Sequence, residues 1–134
     1  MFALQTRYLS FFFGLISILS FFNIIYSYYL NLYLNLDTYY GSFLISLFVS
    51  IIFYKIKTTQ KKLSIFDKIL TVFLGYLLLP LVLSIPFYFS IYDLTFLNSY
   101  FESISGFTST GFTIFENIKL IDQSLILWRS STQW

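Results

Sequence analysis

Three long stretches without a charged residue constrain the fold of this chain more than any other feature. They are Tyr8–Leu30, Thr38–Tyr54 and Ile69–Tyr92, of 23, 17 and 24 residues. Because an α-helix rises about 1.5 Å per residue, the first and third would extend about 35 Å and the second about 25 Å. The hydrocarbon core of a bilayer is about 30 Å thick, so the second stretch is near the lower limit for crossing it. We predict three membrane-spanning helices.

The composition favours a lipid environment. The chain is 57% hydrophobic and only 10% charged, whereas a soluble domain has about 25% charged residues. The first apolar stretch is too long for the core of a signal peptide and has no small-residue cleavage site, so we interpret it as a retained span. The sequence contains no Cys and no His. This excludes disulfides, Cys/His metal sites and the common nucleophile–base pairs, and we expect no cofactor.

The basic residues predict the orientation. Five lysines lie between the second and third stretches, namely Lys55, Lys57, Lys61, Lys62 and Lys68. The loop Asn31–Asp37 has no Lys or Arg, and Arg7 precedes the first stretch. By the positive-inside rule, the N-terminus and the Lys-rich loop 55–68 are cytoplasmic, and the third span runs outward. Since five of the six lysines lie in this one loop between apolar stretches, we predict no nucleic-acid binding.

Local breaks and small residues suggest how the spans pack. Pro80 and Pro86 predict a kink in the third span, or its end near Pro86. Ser42, Ser46 and Ser50 recur every four residues. Such a stripe allows the backbones of two helices to approach closely in lipid, so we expect ordinary helix packing there.

The segment after the third span is too polar to cross a bilayer. Leu94–Ser105 predicts a helix of about 18 Å, which is half a membrane thickness. Asp93 or Thr95 is placed to cap its start, and Gly106 is placed to end it in a left-handed conformation. The run Phe107–Thr113 follows and contains no ionisable side chain. A new apolar run begins near residue 124, with Asp122 or Ser124 as the expected N-cap.

This order is typical of a re-entrant pore loop. Non-helical backbone at membrane depth requires protein or water around it. There it can direct carbonyl oxygens toward a cation and replace the hydration shell of that cation. Gly111 would permit the necessary backbone angles, and the negative end of the half-length helix would point to the same place. The alternative is a hydroxyl-rich outer loop with a turn at Gly111, and the residue pattern alone leaves both interpretations open.

Three motifs add a family resemblance. Residues 101–113, FESISGFTSTGFT, resemble the first pore loop of the Trk/Ktr/HKT potassium transporter superfamily, especially its bacterial TrkH type. Leu127–Trp134 is similar to the start of the inner helix that follows this loop, and Ile85–Phe87 to the end of the outer helix before it. Their order and spacing agree with the family pattern. The first two spans resemble the extra N-terminal helix pair of the family only in number and orientation.

The resemblance implies an all-α membrane protein. An N-terminal helix pair, residues 1–54, would precede the first helix–pore-loop–helix unit, residues 69–134. In the family, four such units surround a central axis with pseudo-fourfold symmetry. This unit would comprise an outer helix, a pore helix, a filter and the start of an inner helix, at residues 69–92, 94–105, 107–113 and 124–134. We expect the chain to be an N-terminal fragment that stops within its inner helix.

The resemblance also implies a cation site. The backbone carbonyls of Ser109, Thr110 and Gly111 would contact potassium, with Thr108 and Phe112 as their neighbours in the filter. Gly111 matches a glycine that is associated with potassium preference in the family. Ser109 and Phe112 depart from the usual threonine and small residue.

Three further residues are candidates for supporting the pore loop, namely Glu102, Gly106 and Arg129. Glu102 matches the family motif, and we expect it to brace the filter from behind rather than to attract cations at the vestibule. Arg129 lies beside Trp128. We prefer an anchor at the membrane interface over a polar bond to the back of the loop.

The expected function is potassium uptake across the bacterial cytoplasmic membrane by a multi-pass protein that is not an enzyme. Its expected partners are the lipid bilayer, three further pore units, a second copy of the protein and a cytoplasmic nucleotide-binding subunit. One alternative is a polytopic membrane enzyme, or anchor, of lipid-linked sugar metabolism, although such proteins normally carry acidic or His clusters. Another is a single-unit channel that forms tetramers, which would require a complete inner helix.

Overall fold

The computed structural model describes residues 5–56 and 64–133, and all regular structure within them is helical. The elements are α1 (Thr6–Tyr29), α2 (Leu36–Lys55), α3 (Ile65–Leu83), α4 (Ile85–Tyr88), α5 (Phe96–Phe107), a short 3₁₀ turn (Ile118–Leu120) and α6 (Gln123–Thr132). Three helical segments are long and apolar enough to cross a membrane, namely Thr6–Tyr29, Leu36–Lys55 and Ile65–Tyr88. The predicted helical class and the predicted number of such segments are therefore confirmed for this part of the chain.

The third span begins four residues earlier than predicted. Ser64 caps α3, because its hydroxyl accepts from the Phe66 amide at 3.3 Å and its own amide donates to the Asp67 carboxylate at 3.2 Å. This reciprocal capping draws a polar first turn into the helix, which the charge-free criterion left out. The helix continues through Pro80, ends at Leu83 and resumes as α4, with Pro86 in its first turn. Of the five predicted loop lysines, three lie outside the described residues, namely Lys57, Lys61 and Lys62.

The packing of the long helices is inverted relative to that of a soluble protein. Their outward faces expose large aromatic rings, including Phe11, Phe22, Phe48 and Phe73. Their contacts with one another bury hydroxyl groups, including those of Ser20, Ser27, Ser42 and Ser46. In lipid, burying an apolar side chain between helices gives no hydrophobic free energy. Helices associate there through close backbone packing, which small residues allow.

Helices α1 and α2 form an antiparallel hairpin that is joined by a reciprocal pair of hydrogen bonds. The Ser10 hydroxyl donates to the Ser50 carbonyl at 2.9 Å, and the Ser50 hydroxyl donates to the Ser10 carbonyl at 2.8 Å. Nearby, the rings of Phe13 and Phe53 stack with centroids 5.8 Å apart. The serine stripe that includes Ser50 therefore packs α2 against α1, as the sequence predicts.

Trp128 of α6 lies at the centre of the core and is fully buried. Its indole nitrogen donates to the Leu83 carbonyl at 3.1 Å, and its ring lies 6.0 Å from that of Tyr39 in α2. Because α6 contacts both the hairpin and the end of α3, the N-terminal helix pair and the later segment share one core.

A polar junction connects the α1–α2 hairpin to the start of α6. The Asn35 amide donates to the Asp122 carboxylate at 3.0 Å, and its carbonyl oxygen accepts from the Ile91 amide at 3.3 Å. The hydroxyls of Tyr39 and Ser124 lie 2.8 Å apart. Asp122 occupies the N-cap position of α6, but its side chain caps no backbone amide and instead accepts from Ser124 and Asn35. Of the two predicted N-caps, Asp122 therefore has the position without the capping bond, and Ser124 lies inside the helix.

Candidate functional site

Helix α5 is a half-length helix that packs against α3 near Pro80. Its twelve residues extend about 18 Å. Thr95 is the cap, since its hydroxyl accepts from the Asn98 amide at 3.3 Å, whereas Asp93 is not. The Ser103 hydroxyl donates to the Pro80 carbonyl at 2.8 Å. The first bond fixes the start of α5, and the second holds its C-terminal half against α3.

Gly106 does not end α5 in the way that the sequence predicts. The helix continues to Phe107, and the left-handed backbone angles fall instead on Ser109, with φ of 56°, and on Gly111, with φ of 78°. At Gly106 the backbone approaches α6 so closely that an added Cβ would overlap the Thr132 side chain. The glycine is thus required for packing rather than for turning the chain.

The helix end is closed by the chain folding back on it. The Ser109 amide donates to the Gly106 carbonyl at 2.9 Å, and the Thr110 amide donates to the Ser105 carbonyl at 3.1 Å. A left-handed residue just past a helix commonly allows such bonds, although serine is less suited to it than glycine. From residue 110 to residue 117 the chain has no regular secondary structure.

Glu102 anchors the far side of this loop from inside the protein. Its side chain is fully buried, at 0% exposure. The carboxylate accepts from the Thr113 hydroxyl at 2.9 Å and from the Ile114 amide at 3.0 Å, and it forms an ion pair with Nε of Arg129. A buried carboxylate requires such partners, because removing a charge from water without them is strongly unfavourable.

Arg129 completes the anchor from α6. Its Nη2 donates to the Phe112 carbonyl at 3.1 Å and lies 3.4 Å from the Gly111 carbonyl. The Phe112 carbonyl also accepts from the Ser105 hydroxyl. The preferred interpretation of Arg129 as an interfacial anchor is therefore wrong, because its guanidinium is directed at the loop and only 15% of the side chain is exposed. Gly111 and Phe112 are thus held by their backbone oxygens.

The first half of the loop is held differently. Within residues 5–56 and 64–133, no hydrogen bond reaches the carbonyl oxygens of Thr108, Ser109 or Thr110. Ser109, Thr110, Gly111 and Phe112 are exposed, Phe112 at 69%. Four of the five predicted filter residues are therefore exposed, whereas Thr108 is half-buried at the end of α5. The charged pair Glu102–Arg129 lies behind the loop.

The polar atoms of residues 107–113 in this loop are uncharged. The described residues contain no group of three or more His, Cys, Asp or Glu that could hold a metal ion. The ligands that the loop can present are backbone carbonyls and hydroxyls, which suit an alkali cation that exchanges its hydration shell for neutral oxygens.

Comparisons with known proteins agree with this chemistry. The chain is 29% identical to an uncharacterized cation transporter of Methanocaldococcus jannaschii over 123 residues. The aligned region covers 90% of this chain and 26% of that protein. The chain is 43% identical over 56 residues to the Trk system potassium uptake protein TrkI of Halomonas elongata, which covers 42% of this chain and 10% of that protein. This chain is similar to cation transporters.

The limits of the similarity also matter. The matched region spans about a quarter of the first relative and a tenth of the second. No protein-family model matches the chain. Both relatives are named as transporters and neither as an enzyme, in agreement with the predicted class. With three apolar segments long enough to cross a membrane, the similarity supports a multi-pass membrane protein.

Sequence reasoning missed three residues that build the site, namely Ser105, Thr113 and Thr132. Their contacts join positions 7, 11 and 26 residues apart along the chain, at Phe112, Glu102 and Gly106 respectively. The two members of each pair do not lie in the same helix, so periodicity along one helix does not link them. One available signal was the opposite charges of Glu102 and Arg129 within an apolar region, since ionisable residues at membrane depth commonly pair with one another.

Proposed function

We propose that this chain forms one side of a potassium-uptake pathway, in which residues 107–113 are one of four loops of a backbone-carbonyl selectivity filter. The observation that carries the proposal is the exposed, uncharged loop at the end of a half-length helix, anchored from behind by the buried pair Glu102–Arg129. A loop that only connected two helices would not require a buried ion pair beneath it. The names of the two similar transporters support the same function.

The physical basis of the proposal is that uncharged ligands replace the water around the ion. A potassium ion can leave water when several neutral oxygens replace its hydration shell, and they must bind weakly enough to let it go. The Thr108, Ser109 and Thr110 carbonyls accept no hydrogen bond within the described residues and would supply one set of such oxygens. The Gly111 carbonyl, which the sequence also assigns to the ion, lies 3.4 Å from Nη2 of Arg129 instead. Three other units of the complete protein would supply the rest. An inside-negative membrane potential contributes about 2.3 kcal/mol per 100 mV to the inward movement of each cation.

The orientation and the partners belong to the same proposal. Arg7, Lys55 and Lys68 lie at the start of α1, the end of α2 and near the start of α3, which is one side of a three-helix array. If this side faces the cytoplasm, the N-terminus lies on the inner side of the bacterial cytoplasmic membrane. The site would then open outward, and a nucleotide-binding subunit would meet the inner face of a dimeric protein.

The test uses a substitution that disturbs only the backbone of the loop. Gly111 has φ of 78° and no atom within 4 Å of an added Cβ, so Gly111→Val meets no neighbour but forces a β-branched residue into a left-handed conformation. We expect this variant of the complete protein to lose rubidium uptake, or its preference for potassium over sodium, in potassium-starved cells.

Gly41→Val is the matched control. Gly41 also has open space around an added Cβ, but it lies inside α2 with ordinary helical angles. It should leave uptake near the unmodified level. Unchanged uptake and unchanged selectivity in Gly111→Val would refute the filter assignment.

A further inference from the structure

We propose that Glu102 controls the cation affinity of the loop by neutralising Arg129, which would otherwise repel the transported ion. This inference rests on the proposed potassium pathway and assigns opposite electrostatic effects to its two anchoring residues. It concerns the charge balance of the site rather than its shape.

The first step is the position of the arginine. Its Nη2 is hydrogen-bonded to the Phe112 carbonyl at 3.1 Å and approaches the Gly111 carbonyl at 3.4 Å. The nearest of the oxygens proposed to bind the ion belongs to Thr110, the residue immediately before Gly111. Successive Cα atoms are about 3.8 Å apart, so a cation bound two residues away along the chain would lie about 8 Å from the guanidinium. The positive charge of the Arg129 guanidinium therefore lies close to the proposed cation site.

The second step is the size of the effect. Two unit charges about 8 Å apart, at the effective dielectric constant of about 20 that suits partly buried groups, repel each other enough to weaken binding about thirtyfold. A site with an uncompensated Arg129 would thus bind potassium poorly.

The third step is the compensation. Glu102 forms an ion pair with Nε of the same guanidinium, and no other acidic side chain in the described part of the chain contacts it. The Thr113 hydroxyl and the Ile114 amide hold the carboxylate in place. The pair is neutral as a whole. The loop therefore keeps the directional donors of arginine while a passing cation meets little of its charge.

A merely structural anchor makes a different prediction. If the pair only positioned the loop, removing either partner would loosen the same carbonyls and weaken ion binding in the same direction. If charge balance matters, the two substitutions act with opposite sign. Glu102→Gln leaves a net positive charge behind the loop and raises the KM for the ion, whereas Arg129→Gln leaves a net negative charge and lowers it.

The experiment measures rubidium uptake by the complete protein in cells without other potassium-uptake systems. KM and maximal rate are determined for Glu102→Gln, Arg129→Gln, the double variant and the control Glu116→Gln, each normalised to its abundance in the membrane. Glu116 is exposed on the following segment, so its substitution removes the same charge from a different place.

We expect Glu102→Gln to raise KM about tenfold or more, which corresponds to at least about 1.4 kcal/mol. The double variant should return KM to within about threefold of the unmodified value, because neutrality is restored, where threefold corresponds to under 1 kcal/mol. Arg129→Gln should lower KM about threefold or more, because the carboxylate of Glu102 is then uncompensated. Its maximal rate should fall, because the loop loses the Nη2 donor. The control should change KM little.

Three results would overturn the proposal: an unchanged or increased KM for Arg129→Gln, a double variant as impaired as Glu102→Gln, or a Glu102→Gln variant that matches Glu116→Gln. If Glu102→Gln does not reach the membrane, the sign of the effect in Arg129→Gln decides alone. Failure of the pathway itself would look different, since the unmodified protein would take up no rubidium or Gly111→Val would behave normally.

Discussion

Replacement of Gly106 by alanine tests the closest helix–helix contact around the loop. An added Cβ would overlap the Thr132 hydroxyl, with the Thr132 Cβ at 3.3 Å and the Arg129 carbonyl at 3.8 Å. The hydroxyl cannot simply rotate away, because it donates to that same Arg129 carbonyl at 2.7 Å. Gly106→Ala therefore has to separate α5 from α6 or displace Thr132.

The magnitude follows from two opposing effects. Forcing an extra methyl group into a packed contact typically destabilises a protein by about 1–3 kcal/mol. Alanine in place of glycine inside a helix stabilises by about 1 kcal/mol. Gly41→Ala in α2 isolates the second effect, since no atom lies within 4 Å of its added Cβ. We expect Gly106→Ala to be less stable than Gly41→Ala by about 1–3 kcal/mol.

The assay is equilibrium unfolding of the complete protein in a mixed-detergent titration, with rubidium uptake as a second readout. Thr132→Ala removes the overlapping hydroxyl, and we expect it to recover most of the lost stability when combined with Gly106→Ala. The coupling between the two substitutions should reach about 1 kcal/mol, as for residues in direct contact. Equal stability of Gly106→Ala and Gly41→Ala, or purely additive effects with Thr132→Ala, would refute this account of the contact.

Two further predictions concern the core and use the same unfolding assay. Trp128→Phe leaves the buried Leu83 carbonyl without its donor, so we expect a loss of about 1–3 kcal/mol; an unchanged stability would contradict the importance of this bond. Ser50→Ala removes one half of the reciprocal bonds with Ser10 and should destabilise by about 0.6 kcal/mol, as is usual for hydrogen bonds between membrane helices. The effect should be non-additive with Ser10→Ala, and strict additivity would show that the two bonds act independently.

The helices are the part of the fold that sequence reasoning captured best. Long apolar runs without charges predict spans because lipid requires every backbone group to bond within its own segment. Their ends were less accurate, since α3 includes the polar turn that begins at Ile65 and is capped by Ser64. Short-range capping of this kind depends on side-chain geometry that a hydropathy criterion does not contain.

The candidate site was predicted as a stretch of chain and not as an arrangement. The Thr/Gly run after a half-length helix identified residues 107–113, and the family resemblance selected Glu102, Gly106 and Arg129 as supports. The assigned mechanisms for Gly106 and Arg129 were wrong, because each depends on where α6 lies relative to α5. Neither propensity nor periodicity of one helix specifies its distance to another.

The amino-acid order alone therefore determined which segments are helical and apolar, and where an uncharged glycine-containing loop interrupts them. These properties arise from interactions within a few residues, which the local sequence carries directly. Only the tertiary structure decided that Glu102 lies beneath the loop, that Arg129 holds its carbonyls and that Gly106 receives Thr132. Those contacts join residues 11 to 27 positions apart. They form because α5 and α6 both bond to the end of α3, α5 through Ser103 and α6 through Trp128.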